Sequence, residues 1–347
     1  MSRYVPYLGV VATIVIFFAL VAPTRNLRTV APAAVVSTAT SSGPSASTTT
    51  APAVPRAVIP TQKASTPVPL PRPTPAQAAA LRAALVNIIC LVPKSSGLHS
   101  ISASGVIVSS SGIILTNAHV AQYYLLADRG VLCDIRTGSP AQSAYHATLA
   151  YISPAWVRAN ATILTQEVPN GTGERDFAFL AIDKSAQAST TLPITFPFVS
   201  LASVAPIVHT PVAIASYGAQ FLDASQIESS LFPTLVFGNV KDVFTFGDNT
   251  PDVFAVSGSI AAQEGSSGGG VIDASGALVG TIATSAIDGP TNTRTFTAIT
   301  ASYIRSAYLD ETGESLNHFL ATPTSTLISD FAPLIPALES ILTEHLR

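Results

Sequence analysis

The sequence predicts an all-β protein whose strands close into barrels or stack as a sandwich. Three observations carry that prediction. The 347-residue chain is 48% hydrophobic but only 11% charged, and it is rich in Ser, Thr, Val and Gly, a composition that suits strands better than helical bundles. From Val86 onward, eleven short apolar runs are divided by turn residues: VNIICLV, SGVIVS, GIILTNA, VLCDIR, FAFLAI, TPVAIASYG, LVFGNVKDVF, DVFAVSG, GGVIDA, ALVGTIAT and RTFTAIT. Hardly any helical periodicity interrupts them, which is the pattern of barrels or sandwiches.

Taken in chain order, the first element is apolar. Tyr4 to Thr24 carries no charge and, as a helix, spans about the thickness of a bilayer core. Arg3 precedes it and Arg25 and Arg28 follow, so flanking charge does not fix its orientation. A cleaved signal peptide is the alternative, but its apolar core would be long and Pro23 after Ala22 makes a poor cleavage site. The expectation is an N-terminal transmembrane helix, a signal anchor over 1–24, in a cell membrane. The bulk of the chain then lies outside the cytoplasm, on a periplasmic or extracellular face.

Residues 31–80 contain 37 Ala, Pro, Ser or Thr, ten of them proline. Such a stretch has little to bury against its ordering entropy, so 25–75 is expected to be a disordered linker. Order should begin near TPAQAAALRAAL, where Thr74 can cap a short helix with Pro75 in its first turn. After the strand region, ASYIRSAYLDE (301–311) is a well-formed helix pattern. The remaining 312–347 form a C-terminal helical tail, with Leu327, Phe331, Leu334, Leu338 and Ile341 at helical spacing and Pro333 and Pro336 as interruptions. Either a docked helix or a self-association segment fits that spacing.

Charge and cysteine usage exclude other classes. A net charge of −3 with no Lys/Arg blocks argues against nucleic acid. Cys90 and Cys133 form no C-x-x-C, and the histidines sit singly, so neither a metal nor a cofactor is expected. The two cysteines fit a disulfide or two buried thiols.

Three short stretches carry chemistry. GSSGGG (265–270) sets two serines among glycines between strand-like segments, and glycine in such a place marks a special backbone path or a close approach. A nucleophilic serine needs a base, and TNAH (116–119) places His119 just after an apolar strand. The base needs a carboxylate to hold its tautomer, and Asp176 stands at the lip of the apolar strand in GERDFAFLAID. Each stretch alone has a bland reading, as a flexible loop, a packing histidine or a strand-initial turn. Together, in the order His119, Asp176, Ser267, they specify nucleophilic hydrolysis. That order also excludes the subtilisin and α/β-hydrolase arrangements.

On these residues the chain resembles a chymotrypsin-like (trypsin-like) serine protease and is most similar to the bacterial HtrA-type group. TNAHV, DFAFLAI, GSSGGGVIDASGALVGTIAT and FTAITASYI carry the likeness, over roughly residues 80 to 310. The resemblance implies two six-stranded antiparallel β-barrels over 76–311, polypeptide substrates, and the catalytic residues His119, Asp176 and Ser267. It makes the Gly265 and Ser267 N–H groups the oxyanion hole, with Gly268 and Gly269 leaving room and Ser266 a backbone placeholder. It lines the specificity pocket with Ala261, Ala262, Ala283, Thr284 and Ser285, so cleavage is expected after small or medium apolar residues, with charge rejected. It also puts Cys90 on the first strand and Cys133 on the strand after the His119 helix, near enough for a disulfide in an oxidising compartment.

Two departures accompany the likeness. The group's C-terminal PDZ domain has no counterpart, and the long stretch from Thr137 to Glu174 is expected to hold an extra excursion from the first barrel. Its two N-x-T matches, Asn160 and Asn170, are read as chance. The alternatives to an active endopeptidase are a catalytically inactive protease-fold binding or sensing module and an esterase.

Overall fold

The computed structural model describes residues 69–94, 96–166, 173–247, 250–257, 259–285 and 293–346. The expected anchor, most of the linker and Asn170 lie outside the described residues.

Order begins with helix α1 (Pro75–Ala84). Thr74 accepts from the Gln77 amide, and the Gln77 side chain answers to the Thr74 amide, a reciprocal cap that satisfies two otherwise orphaned donors. The helix buries Ala78, Leu81 and Ala84.

The strands form two closed antiparallel barrels. The N-terminal barrel contains β1 (Leu85–Leu91), β2 (Ile101–Ile107), β3 (Ile113–Thr116), β4 (Leu132–Gly138), β5 (Ala141–Ile152) and β6 (Ala178–Ser185), joined in the order β1-β2-β3-β6-β5-β4. The second contains β7 (Pro211–Ser216), β8 (Thr234–Phe244), β9 (Val253–Ser257), β10 (Gly270–Ile272), β11 (Leu278–Ser285) and β12 (Thr295–Thr300), joined as β10-β11-β12-β9-β8-β7. Closure leaves no unpaired edge, which decides between barrels and a sandwich. Helix α1 packs on β2, β7 and β10, so it touches both barrels. Short helices join some of the strands: α2 (Ala118–Ala121) after β3, α3 (Pro154–Ala159) after β5 and α4 (Ala224–Ser229) between β7 and β8.

One barrel strand was not legible in sequence. β5 runs through the stretch expected to be an excursion, and the chain leaves the barrel only beyond its end, at α3 and a 3₁₀ turn over Ile163–Thr165. The physical reason is its interrupted alternation. Its first half is largely exposed, and its pairing with β6 shifts register between His146 and Ala147 and again between Leu149 and Tyr151. Each shift resets which side chains face inward.

β3 and the first five residues of β6 are buried on both faces, and the tail explains why. Four helices come after β12: α5 (Ala301–Thr312), α6 (Leu316–Ala321), α7 (Thr324–Phe331) and α8 (Ile335–Glu344). α7 lies on β5 and β6, and α8 on α3. Tyr151, Phe177, Phe179, Tyr308, Phe319 and Phe331 form one aromatic cluster between barrel and tail. The docked alternative therefore describes the tail. Pro333 sits in a 3₁₀ turn (Ala332–Leu334) that turns Leu334 outward, so the buried stripe is Leu327, Phe331, Leu338 and Leu342. Thr324–Glu344 is long and apolar enough by composition to cross a membrane, yet those four side chains are buried against the protein itself.

Cys90 and Cys133 face each other across the β1–β4 pair and are joined by a disulfide 43 residues apart in sequence. Loop closure of that length is worth roughly 3–4 kcal/mol. Replacing both cysteines by alanine should lower the free energy of unfolding by about that much. Urea unfolding measures it, and an unchanged midpoint would show that the bond adds nothing.

Candidate active site

The candidate base is set by the end of a strand. β3 stops at Thr116, Asn117 follows as an N-cap that keeps an extended backbone, and helix α2 carries His119. Asn117 donates its side-chain amide to the Asp176 carbonyl at 2.9 Å, which ties this turn to the segment entering β6. Asp176 then gives both carboxylate oxygens to one residue. Oδ1 accepts from the His119 backbone N–H at 2.9 Å, and Oδ2 lies 2.8 Å from His119 Nδ1. The aspartate is 5% exposed and the imidazole 25%. Such a pairing holds the proton on Nδ1 and leaves Nε2 as the basic nitrogen.

The candidate nucleophile loop is fixed by backbone geometry. Gly265 has φ +86° and Gly268 φ +84°, both in the region that favours glycine. A Cβ on Gly265 would come within 2.7 Å of the Tyr217 carbonyl oxygen, and one on Gly268 within 1.9 Å of the Ser104 carbonyl oxygen. Glycine is thus required at both by approach as well as by conformation. The loop carbonyls are then taken up one by one. Ala219 N–H donates to Glu264 O at 2.8 Å, Ser104 Oγ to Gly265 O at 2.8 Å, and Ser104 N–H to Ser267 O at 2.8 Å. The Gly265 and Ser267 amides donate to no acceptor among the described residues. Two such amides left open beside a serine are what an oxyanion hole requires. Ser266 is fully buried and accepts from the Ser216 hydroxyl at 3.3 Å, whereas Ser267 is half-buried.

Ser104 also links the two halves of the site. Its carbonyl accepts from Thr116 Oγ1 at 2.8 Å, three residues before His119, while its amide holds Ser267. Sequence reasoning passed over this serine, which sits unmarked in the β2 run. Its Oγ accepts from the Tyr217 amide at 2.8 Å as well as donating to Gly265, a pairing across more than a hundred residues.

The expected pocket residues are also placed. Ala261, Ala262 and Ala283 are buried, and Thr284 and Ser285 continue β11, their side chains outside the described part. A second residue that sequence reasoning missed reaches this wall. Arg294, just before β12, is 7% exposed and donates from Nη1 to the Ala262 carbonyl at 3.3 Å and to Gln220 Oε1 at 2.6 Å. Two open depressions of about 500 Å³ lie on the N-terminal barrel and are lined by none of these residues.

Burial disfavours the charged imidazole, but the Asp176 charge and hydrogen bond outweigh it and raise the His119 pKa above its ordinary 6.5. The sign then separates stability from chemistry. The protonated pair stabilises the fold fully below the unfolded-state value, and that contribution fades as pH rises through the folded value. Base catalysis runs the other way, so kcat/KM should rise with pH through one ionisation whose midpoint lies above 6.5. Asp176→Asn should move that midpoint down. A pH–rate profile checks both, and a midpoint below 6.5 in the unaltered protein would contradict this electrostatic reading.

The trypsin-like peptidase domain model matches residues 103–280. No curated protein matches the chain. Among solved structures, it is similar to the inactive form of the Rv3671c protease at 18% identity, covering 71% of this chain and 100% of that one with a TM-score of 0.43. The active form of the Rv3671c protease from M. tuberculosis gives 19%, 74%, 96% and 0.42. The MamO protease domain from Magnetospirillum magneticum gives 18%, 66%, 97% and 0.39. The family match runs from β2 to β11 and so spans both barrels, taking in the turn of His119, the entry to β6 and the glycine loop; this chain belongs to the trypsin-like peptidase domain family and is a serine peptidase.

Proposed function

We propose that the protein is a membrane-tethered, extracytoplasmic serine endopeptidase acting through His119, Asp176 and Ser267. The observation that carries this reading is the double engagement of His119 by Asp176, at 2.9 and 2.8 Å. Both carboxylate oxygens are committed to one residue, an arrangement that serves a base better than a structural ion pair.

The steps are dictated by the groups present. Ser267 Oγ attacks the scissile carbonyl as His119 Nε2 takes its proton, and Asp176 stabilises the imidazolium that results. The negative charge on the former carbonyl oxygen falls to the Gly265 and Ser267 amides. Because neighbouring hydrogen bonds already hold that loop, little reorganisation is needed as charge develops. His119 then returns its proton to the leaving amine, and water releases the acyl group by the same route in reverse. The open amides favour an active site over a closed, protease-shaped binding module.

In this reading 1–24 anchors the chain, 25–75 is the tether, 76–311 is the peptidase domain and 312–347 is the docked tail. The uncharged Tyr4–Thr24 stretch supports the anchor, and the Cys90–Cys133 bond suits an oxidising compartment. Cleavage of the domain by a protease added to intact cells or spheroplasts tests this placement.

A serine-reactive fluorophosphonate should label Ser267 and leave Ser266 untouched, as peptide mapping will show. Ser267→Ala should abolish labelling, and Asp176→Asn should lower kcat by about 10⁴ while the protein stays folded. Labelling at Ser266, or full turnover in Asp176→Asn, would assign the chemistry to other groups.

A further inference from the structure

Asp176 can serve His119 only while its own backbone is held, and the chain that enters it is strained. Arg175 has φ 55° and is one of two non-glycine residues with positive φ among the described residues; Gly173 before it has φ 82°. A residue with a side chain keeps such a state only where its surroundings enforce it, and such states gather at functional sites. Local bonds close the turn. The Asp176 amide donates to Gly173 O at 3.1 Å, and the Phe177 amide to Arg175 O at 2.8 Å. The Arg175 amide instead donates at 3.2 Å to the hydroxyl of Tyr303, in the first turn of α5.

Tyr303 is itself fixed from the second barrel. Thr300, the last residue of β12, caps α5 by accepting from the Tyr303 amide at 3.1 Å, and its own amide donates to Asp252 O at 2.9 Å. The Tyr303 and Phe246 rings meet edge to face, with centroids 4.9 Å apart. The Phe246 amide donates at 2.8 Å to Oδ2 of Asp252, a residue only 3% exposed. The same Phe246 ring stands against Gly173, where an added Cβ would lie 3.5 Å from its Cζ. The turn from Gly173 to Arg175 is thus met by two rings that the other barrel holds. Burial pushes the Tyr303 phenol up to about 12, with Arg175, Glu174 and Asp252 the charged groups around it, so it stays a neutral hydroxyl while His119 titrates.

We propose that Tyr303 is a positioning residue for the reaction, its hydroxyl holding Arg175 in the left-handed state that aims Asp176 at His119. This rests on the serine endopeptidase reading. Without that acceptor the Arg175 amide loses its partner, and the chain is free to relax to negative φ. Because Arg175 adjoins Asp176, that rotation moves the carboxylate whose two oxygens lie 2.9 and 2.8 Å from His119. Hydrogen bonds weaken steeply with misalignment, so a small turn of this backbone reaches the base. The acid belongs to one barrel, and its aim is kept by the other.

The test uses the full-length chain purified in detergent. A peptide that the unaltered enzyme cuts is taken from a proteome-derived library, and kcat/KM is followed across pH, normalised to the folded fraction. Tyr303→Phe keeps the ring against Phe246 and removes only the hydroxyl. It should lower kcat/KM about 10- to 100-fold. It should also move the pH midpoint down toward 6.5, because the Asp176 charge and hydrogen bond that raise it are misaligned. Asparagine tolerates positive φ better than arginine, so in an Arg175→Asn background the same substitution should cost several-fold less. An unchanged rate and midpoint in Tyr303→Phe overturns the proposal. So does a loss that leaves the midpoint unmoved or is equal in both backgrounds, which makes the hydroxyl a structural contact alone. Failure of Tyr303→Phe to fold in either background overturns it for the same reason, and all three results leave the peptidase reading intact. Unaltered protein that neither cleaves nor takes up a fluorophosphonate overturns the peptidase reading together with this one.

Discussion

Ser104 ties the two barrels together at the proposed catalytic site. It belongs to β2 of the N-terminal barrel, but its amide and hydroxyl hold the carbonyls of Ser267 and Gly265, and its hydroxyl accepts from Tyr217. Its own carbonyl faces the Cα of Gly268 so closely that no side chain fits there. A nucleophile on one barrel and a base on the other must keep a separation fixed to a fraction of an ångström. Bonds between the two barrels help to set that separation. Arg136 supplies a second tie: its guanidinium reaches the carbonyls of Ile227 and Glu228 across the junction and that of Ala141 in its own barrel. Burial lowers its pKa, and those carbonyls are what make a buried guanidinium tolerable.

The tail extends the same constraint to the acid. Asp176 stands at the foot of β6, where Phe177 and Phe179 would be exposed if the outer face were bare. Tyr308 of α5 and Phe319 of the tail pack on Phe179, and Phe331 packs on Tyr151, which stacks on Phe177; Tyr303 of α5 accepts at 3.2 Å from the amide of Arg175, the residue before Asp176. Arg175 has φ 55°, an unusual backbone state for a residue with a side chain. The segment that aims Asp176 is thus held from outside by helices that come after the second barrel. Packing far from the cleft and geometry within it are parts of one arrangement.

Sequence alone determined the elements whose cause is local. Thr74 with Gln77 marks a helix start, continuous apolar runs mark strands buried on both faces, and the settings of His119, Asp176 and the glycine loop are written within a few residues of each. Catalytic turns need particular residue types at particular spacings, so their chemistry is visible in one dimension. Only the tertiary structure decided the rest. β5 hid because two register shifts broke its alternation. Ser104 looks like any strand serine until Gly265, 161 positions away, meets its hydroxyl. Arg294 looks like a surface arginine until the carbonyl of Ala262, 32 positions away, accepts its hydrogen bond. Hydrogen bonds and charges act over a few ångströms of space whatever the distance along the chain, and closing a barrel is what turns one into the other.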